Sequence, residues 1–287
     1  EYIDYPAYAK RIDPNPRAEG FVTDENKDQY PELGNNRVGV SMQYVGREPR
    51  FYASVAYNGS TWYLLNEPND ANKDKQIFYY RGGGNGYTNT MFWLRTGIGV
   101  MKFVHPDDTN RDEKEEYIRK KAEPAIRYAE ILLIYAEALN ELTGNYNIAS
   151  WDEETQYTIQ RNIDEMKKGI QPIRIRAGIP DYTRSEYEDQ DLFREKLKRE
   201  RQIELMGEGH RYYDIRRWKD AEVEESLPIY GCNTLMTEKW RDVFHVPVAI
   251  PSLPTNFSRK MYFWPISHSE LKRNKMLTQN PGWTYND

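Results

Sequence analysis

Residues 124–219 carry the pattern that most constrains the fold. Pro124 suits a first helical turn. After it, Ala125, Tyr128, Ala129, Leu132, Tyr135, Ala136 and Leu139 recur at the i, i+3, i+4, i+7 spacing of one helix face. Arg127, Glu130, Glu137 and Glu141 form a polar stripe beside it. Gly144 predicts a stop, and Ser150 with Glu153 has the form of a capping box, predicting a second helix to about Gly169. Pro172 predicts a kink or a fresh start, and Gly178 with Pro180 an end. Ser185 with Glu188 predicts a further cap, opening a long charged helix to Met206. Gly207 and Gly209 break that helix, and Tyr212–Lys219 reads as another helical segment. The first two helices, joined by a short loop, form an antiparallel pair of tetratricopeptide type. Such a unit buries its core only when stacked on others, so partner repeats are expected outside this sequence.

Residues 1–123 have a different texture, rich in Pro, Gly, Asn and Asp. Phe51–Tyr57 (FYASVAY) and Gly99–Val104 (GVMKFV) are the strand candidates, from their β-branched and aromatic content. NGSTWYLLNEPNDANKDK and YYRGGGNGYTNTMFW between them read as long surface loops. Residues 220–265 read as loop, and Ser267 with Glu270 caps a short last helix.

Charge narrows the function classes. The net charge is -5 with no long single-sign block, which argues against nucleic acid or an anionic membrane as partner. No run approaches the roughly 20 apolar residues of a membrane span. The chain opens at Glu1 in a polar stretch with no signal peptide, as a trimmed piece of a longer chain would. The single cysteine, Cys232, excludes an intramolecular disulfide and a cysteine-based zinc site. The 23 Tyr and 7 Trp stand against only 9 Phe, an excess of rings with polar handles that suits exposed contact surfaces.

Most catalytic patterns fail. RGGGNGYT has Tyr87 where a phosphate loop needs Lys and where a dinucleotide loop needs its third Gly, so it reads as a turn. Asp24/Asn26/Asp28, Asp70/Asn72/Asp74 and Asp108/Asn110/Asp112 have the opening spacing of a calcium loop. All three lack its later Gly and Glu, which leaves calcium a candidate ion and hydrated loop the plainer reading. His105, His210, His245 and His268 are scattered, with no two-ligand helix spacing, and no G-x-S-x-G elbow occurs. A pair of glycosidase carboxylates is defined in space, so counting acids does not exclude one.

GEGHRYYDIRRWK (207–219) looks most like an active site. Glu200, Arg201, Glu204, Glu208, His210, Arg211, Asp214, Arg216, Arg217 and Trp218 lie on helical faces with too few apolar residues for ordinary burial. Their density predicts bidentate ion pairs locking two helical segments at the double-glycine bend, with His210 a hydrogen-bonded member rather than a base.

LFREKLKRERQIELMGEGHRYYDIRRWK (192–219) resembles the signature of the SusD/RagB family of outer-membrane nutrient-binding lipoproteins. REPRFYASVAYNGSTW (47–62), MKFVHP (101–106), RYAEILLIYAEALNE (127–141), IRIRAGIP (173–180) and FWPISHSELKRNKMLTQNPGW (263–283) resemble further family segments, in family order. The chain departs from the family at Pro172, and lacks both the N-terminal repeats and the lipid-bearing N-terminal cysteine. The resemblance implies a mainly α, SusD-like fold: a tetratricopeptide-type helix pair plus irregular, loop-rich regions with a few short strands. It implies a ligand-side region over 1–123 and a helical region over 124–287, both parts of one domain lacking its N-terminal repeats. It further implies a non-catalytic protein on the outer face of the outer membrane, held by a lipid absent from this chain. Such a protein captures oligosaccharide or peptide above a SusC-like TonB-dependent transporter, with no cofactor. In the family the segment around His210 is scaffold.

The ligand site is then expected in the loops. An aromatic platform with a few convergent polar groups suits a sugar. Trp62, Tyr63, Tyr87, Asn89 and Trp93 are the candidates, against the alternative that each ring packs its own loop onto the body. The rival functions are a glycoside hydrolase and an intracellular helical scaffold that binds proteins.

Overall fold

The computed structural model describes residues 20–65, 67, 69–88, 91, 93–110, 116–253 and 255–284. Its N-terminal part starts from aromatic packing. Tyr44, Phe51, Tyr52 and Tyr57 pack against one another, stacked or edge-to-face, at centroid separations of 4.6 to 6.3 Å and close a small core with Val22, Leu33 and Val40.

FYASVAY, read as a strand, is mostly helix. Pro49 at its start gives helix α1 (Pro49–Ser54), and only Val55–Ala56 (β1) is extended. The loop after it holds a hairpin. Thr61–Tyr63 (β2) pairs antiparallel with Asp74–Gln76 (β3), with a single helical turn, Asp70–Lys73 (α2), between them. Of GVMKFV only Gly99–Val100 (β4) is strand, paired with β1. Thr109–Asn110 (β5) and Glu116–Tyr117 (β6) form a further two-residue pair.

The helical body follows. Helix α3 (Tyr128–Asn140) starts three residues later than its apolar pattern does. Between it and the next helix stands a hairpin, Tyr146–Ala149 (β7) with Gln156–Ile159 (β8), instead of a short loop. Ser150 and Glu153 belong to its turn: Ser150 Oγ accepts from Thr155 N at 3.0 Å, and the Ser150 amide donates to the Thr155 carbonyl at 2.7 Å. A local serine bond thus replaces the predicted cap. Asn162 is the true cap of α4 (Ile163–Arg176), accepting from Glu165 N at 3.1 Å.

Pro172 does not break α4. Pro172 and Lys168, four residues earlier, are both exposed, so the carbonyl that loses its donor faces water. Helices α3 and α4 run antiparallel, as the contacts Tyr135 to Glu165 (2.7 Å) and Asn140 to Arg161 (3.0 Å) require. At their crossing a Cβ on Gly169 would stand 2.5 Å from the Leu132 carbonyl oxygen, so glycine is what lets the backbones meet.

Thr183 and Glu186 form a reciprocal capping box for α5 (Arg184–Glu188), two residues ahead of the predicted cap. Asp189 caps α6 (Gln190–Glu204) through Leu192 N at 2.9 Å. The core of this body joins Leu133, Ala136, Met166, Ile170, Tyr187, Phe193 and Leu197. Gly207 and Gly209 take positive φ and turn the chain into α7 (His210–Arg217).

Ala221–Glu224 (α8), the bridge of Tyr230–Gly231 (β9) with Val248–Ala249 (β10), Arg241–Phe244 (α9) and His268–Arg273 (α10) complete the chain. Ser267 caps α10 as its spacing predicts. The segment around Cys232 and Phe244 folds back onto Ala56, Ile77, Tyr79 and Tyr80. The fold is mainly helical, with short strands only.

Candidate ligand-binding face and the charged ladder behind it

The loop 81–93 is shaped by close backbone contact. A Cβ at Gly86 would lie 2.0 Å from the Tyr80 carbonyl oxygen, and one at Gly83 2.5 Å from that of Phe78. The amides of Gly83 and Asn85 donate to those same two carbonyls at 2.9 and 3.0 Å. Glycine here buys a folded-back turn rather than looseness. The turn delivers Tyr87 to Trp93, ring centroids 5.4 Å apart at 82°, an edge-to-face pair. The exposed Arg81 guanidinium stands 5.8 Å from the Tyr87 centroid.

The other two aromatic candidates stand apart from this pair. Strand alternation turns Trp62 toward Ala56, Ile77, Tyr79 and Tyr80, where it is half-buried. Tyr63 points the other way, 37% exposed, its hydroxyl filling the space a side chain at Gly34 would take. Among the described residues no ring contact joins Trp62 or Tyr63 to Tyr87 and Trp93. Asn89 lies outside the described residues.

Two residues absent from the candidate set come alongside the loop. The Arg81 amide donates to the Met236 carbonyl at 2.8 Å, and Arg81 bridges Thr237. One turn on, Trp240 is 53% exposed, with Lys239 Nζ 5.5 Å from its ring centroid. The long-range pairing of Arg81 with Thr237 sets the segment that carries Trp240 beside Arg81, and local sequence carries no trace of it.

Behind this face, Glu200 and Glu204, four residues apart, share one side of α6, and Glu208 follows in the turn after it. Glu200, 2% exposed, accepts from Arg50 at 2.6 Å and Arg174 at 2.7 Å. Glu204 accepts from Arg176 at 2.6 Å and from Arg127 and Arg50 at 3.0 Å each. Glu208 takes a fork from Arg127, both bonds 2.7 Å, and Lys102 Nζ at 2.5 Å. Lys102 also donates to the carbonyls of Glu204 and Met206, filling the open end of α6. Burial pushes the Glu204 carboxyl up, but the bonds from Arg176, Arg127 and Arg50 overcome it and hold it below its ordinary value. Glu208 is likewise held down against burial, by Arg127 and Lys102.

A second set extends the ladder. Arg201 Nε lies 2.9 Å from Asp214, whose other oxygen is 2.9 Å from Arg217. Arg217 forks onto Glu137, which also accepts from the Trp218 indole at 2.8 Å. Arg211 pairs with Glu224, and Arg216 with Glu225 at 3.0 Å. His210 Nδ1 faces Glu130 at 3.5 Å. A cleft of about 340 Å³ between Glu137, Glu141, Arg194 and Lys198 has its charges committed in the same way: Arg194 to Glu141 at 2.7 Å, Lys198 to Asp220 at 2.7 Å.

The acids read as calcium candidates are also engaged. Asp24 pairs with Lys27 at 3.0 Å, Asp28 with Arg37 at 3.5 Å and Asp70 with Lys73 at 2.7 Å, while Asp74 accepts from Asn35 at 3.1 Å. Asp108 is held down to about 2 by Lys121 and the His105 amide. The side chains of Asn72, Asn110 and Asp112 lie outside the described residues. Among the described residues no three His, Cys, Asp or Glu side chains form a metal-binding group.

Comparison with known proteins agrees with this architecture. SusD-like protein P2 of Formosa agariphila is 31% identical over 162 residues, covering 55% of this chain and 25% of that protein. The solved structure of BT4246, in its selenomethionine form, superposes with a TM-score of 0.72 at 23% identity, over 93% of this chain and 43% of its own. A SusD-like carbohydrate binding protein from Bacteroides fragilis NCTC 9343 gives a TM-score of 0.52 at 24% identity, over 87% of this chain and 44% of its own. The chain thus spans a quarter of the first relative and less than half of the other two. The family model described as the SusD family matches residues 12–283, which include both the glycine loop and the carboxylate ladder, and the chain belongs to that family.

Proposed function

We propose that this chain binds an oligosaccharide without transforming it, for import through a SusC-like TonB-dependent transporter at the outer face of the outer membrane. Attachment there would come from a lipid carried outside these residues. The observation that carries the reading is the Tyr87–Trp93 pair, mounted with Arg81 on a backbone-packed turn. Ring faces take the CH surface of a sugar, and the guanidinium takes its hydroxyls. The name of the Bacteroides fragilis relative, a carbohydrate binding protein, supports the same reading.

The ladder supports binding over hydrolysis. A glycosidase acid needs a raised pKa so that it holds a proton near neutrality. Glu204 and Glu208 are moved the opposite way by their cations. The test is calorimetry with an oligosaccharide panel on this chain and on a Tyr87→Ala/Trp93→Ala variant, with products followed by mass spectrometry. Binding that the double variant loses, with ligand recovered intact, is the expected result. Unchanged affinity in the variant removes this site, and cleaved ligand removes the non-catalytic reading.

A further inference from the structure

The cations of this chain differ in what holds them. Arg50 of α1 and, in the helical body, Arg127, Arg174, Arg194 and Arg217 each touch a carboxylate within 3.0 Å. On the ligand-side face Arg81 and Lys239 make no ion pair among the described residues. Each instead stands by an aromatic ring, 5.8 Å from the Tyr87 centroid and 5.5 Å from that of Trp240. Both side chains are exposed. The pairing of Arg81 with Met236 and Thr237 fixes the two segments side by side.

Acids exceed bases in this chain, 45 to 40, so a face that leaves two cations uncommitted runs against the overall balance. Among the described residues the neighbouring acids form no ion pair with them. Glu238 is directed to the Tyr80 hydroxyl, whose pKa is raised by burial and then by that carboxylate. Asp242 follows Lys239 by three residues, yet among the described residues the two form no ion pair. A cation parked by a ring rather than a carboxylate meets an incoming anion with no internal ion pair to break.

We propose that the ligand is an acidic oligosaccharide, its sugar rings on Trp93 and Trp240 and its carboxylate or sulfate groups at Arg81 and Lys239. This rests on the oligosaccharide-binding reading and names the ligand class of that site. A guanidinium forks onto either anion, so the shared chemistry is the negative charge on a saccharide.

The test is calorimetry on this chain with three probes of equal length: an oligogalacturonate, a sulfated galactan oligosaccharide and neutral maltooligosaccharide, at low and high salt. At least one acidic probe is expected to bind about tenfold tighter than the neutral one at low salt, with the advantage shrinking as salt rises. Lys239→Gln is expected to weaken the acidic probe about threefold to tenfold and to leave the neutral probe unchanged, whereas Arg81→Gln, which also loses the hydroxyl contacts, is expected to weaken both, the acidic probe more. Preference for the galacturonate assigns carboxylate as the recognised group, and preference for the galactan assigns sulfate. A neutral probe that binds as well as both acidic ones, or acidic binding indifferent to both substitutions, overturns this inference while the oligosaccharide reading stands. If no probe binds, both fall.

Discussion

Arg50 Nη1 lies 2.6 Å from Glu200 Oε1 and 3.0 Å from Glu204 Oε2, joining the aromatic N-terminal core to α6 through one nitrogen. Its Nε and Nη2 are spent on Glu48, at 2.8 and 2.9 Å. Arg50→Ala is expected to lower stability by about 3 kcal/mol, the low end for breaking a buried pair, because Arg174, Arg127 and Arg176 still serve the two carboxylates. The measurement is the urea midpoint at unchanged slope. A shift below about 0.5 kcal/mol would show the contact to be ornamental.

Acid should release the same ladder. A carboxyl whose folded pKa lies below its unfolded one adds stability above the unfolded value and loses it as pH falls through the folded one. Glu204 and Glu208 both sit below the ordinary 4.5. Stability is therefore expected to be flat down to about pH 5 and to fall below 4.5, and Glu204→Gln should flatten that fall while lowering stability at pH 7. Denaturation midpoints between pH 3 and 7, taken as about half-unit steps, read both effects.

Gly169→Ala gives a prediction whose sign is informative. By helix propensity alone the change gains about 1 kcal/mol. The added Cβ would stand 2.5 Å from the Leu132 carbonyl oxygen and 2.9 Å from the Ala136 Cβ, so a loss of about 2 kcal/mol is expected instead. Thermal melts of the two proteins decide it, and a stabilised variant would mean that α3 and α4 are further apart than described.

The two indoles should separate stability from binding. Trp62→Ala, which opens the cluster of Ile77, Tyr79 and Tyr80, is expected to cost about 2–3 kcal/mol of stability. Trp93→Ala is expected to cost about 1 kcal/mol or less and to weaken oligosaccharide binding. Equal melting temperatures, or binding lost only in the Trp62 variant, would reverse the assignment of the two rings.

How much of this was legible in the sequence depends on how far each signal reaches along the chain. The i, i+3, i+4 spacing from Tyr128 to Leu139 is local, and α3 lies there. The four-residue repeat of Glu200, Glu204 and Glu208 is local too, but the identity of their partners Arg50 and Lys102 is not. Local motifs also mislead when a second local bond satisfies them. Ser150 closes a hairpin with Thr155 instead of capping a helix, and Pro172 stays inside α4 because its orphaned carbonyl meets water. On the ligand side, Trp240 stands in a segment that reads as loop. The pairing of Arg81 with Thr237 and Met236 sets that segment beside the start of the glycine loop.

The glycines at 83 and 86 have a thermodynamic corollary. Because two carbonyls already fasten the turn that presents Tyr87, docking a ligand there freezes few additional torsions, and the association entropy should be less unfavourable than for a mobile loop of the same length. Recognition on this face would then proceed as contact with a finished surface, quick to engage, with its selectivity expressed in how long the complex survives.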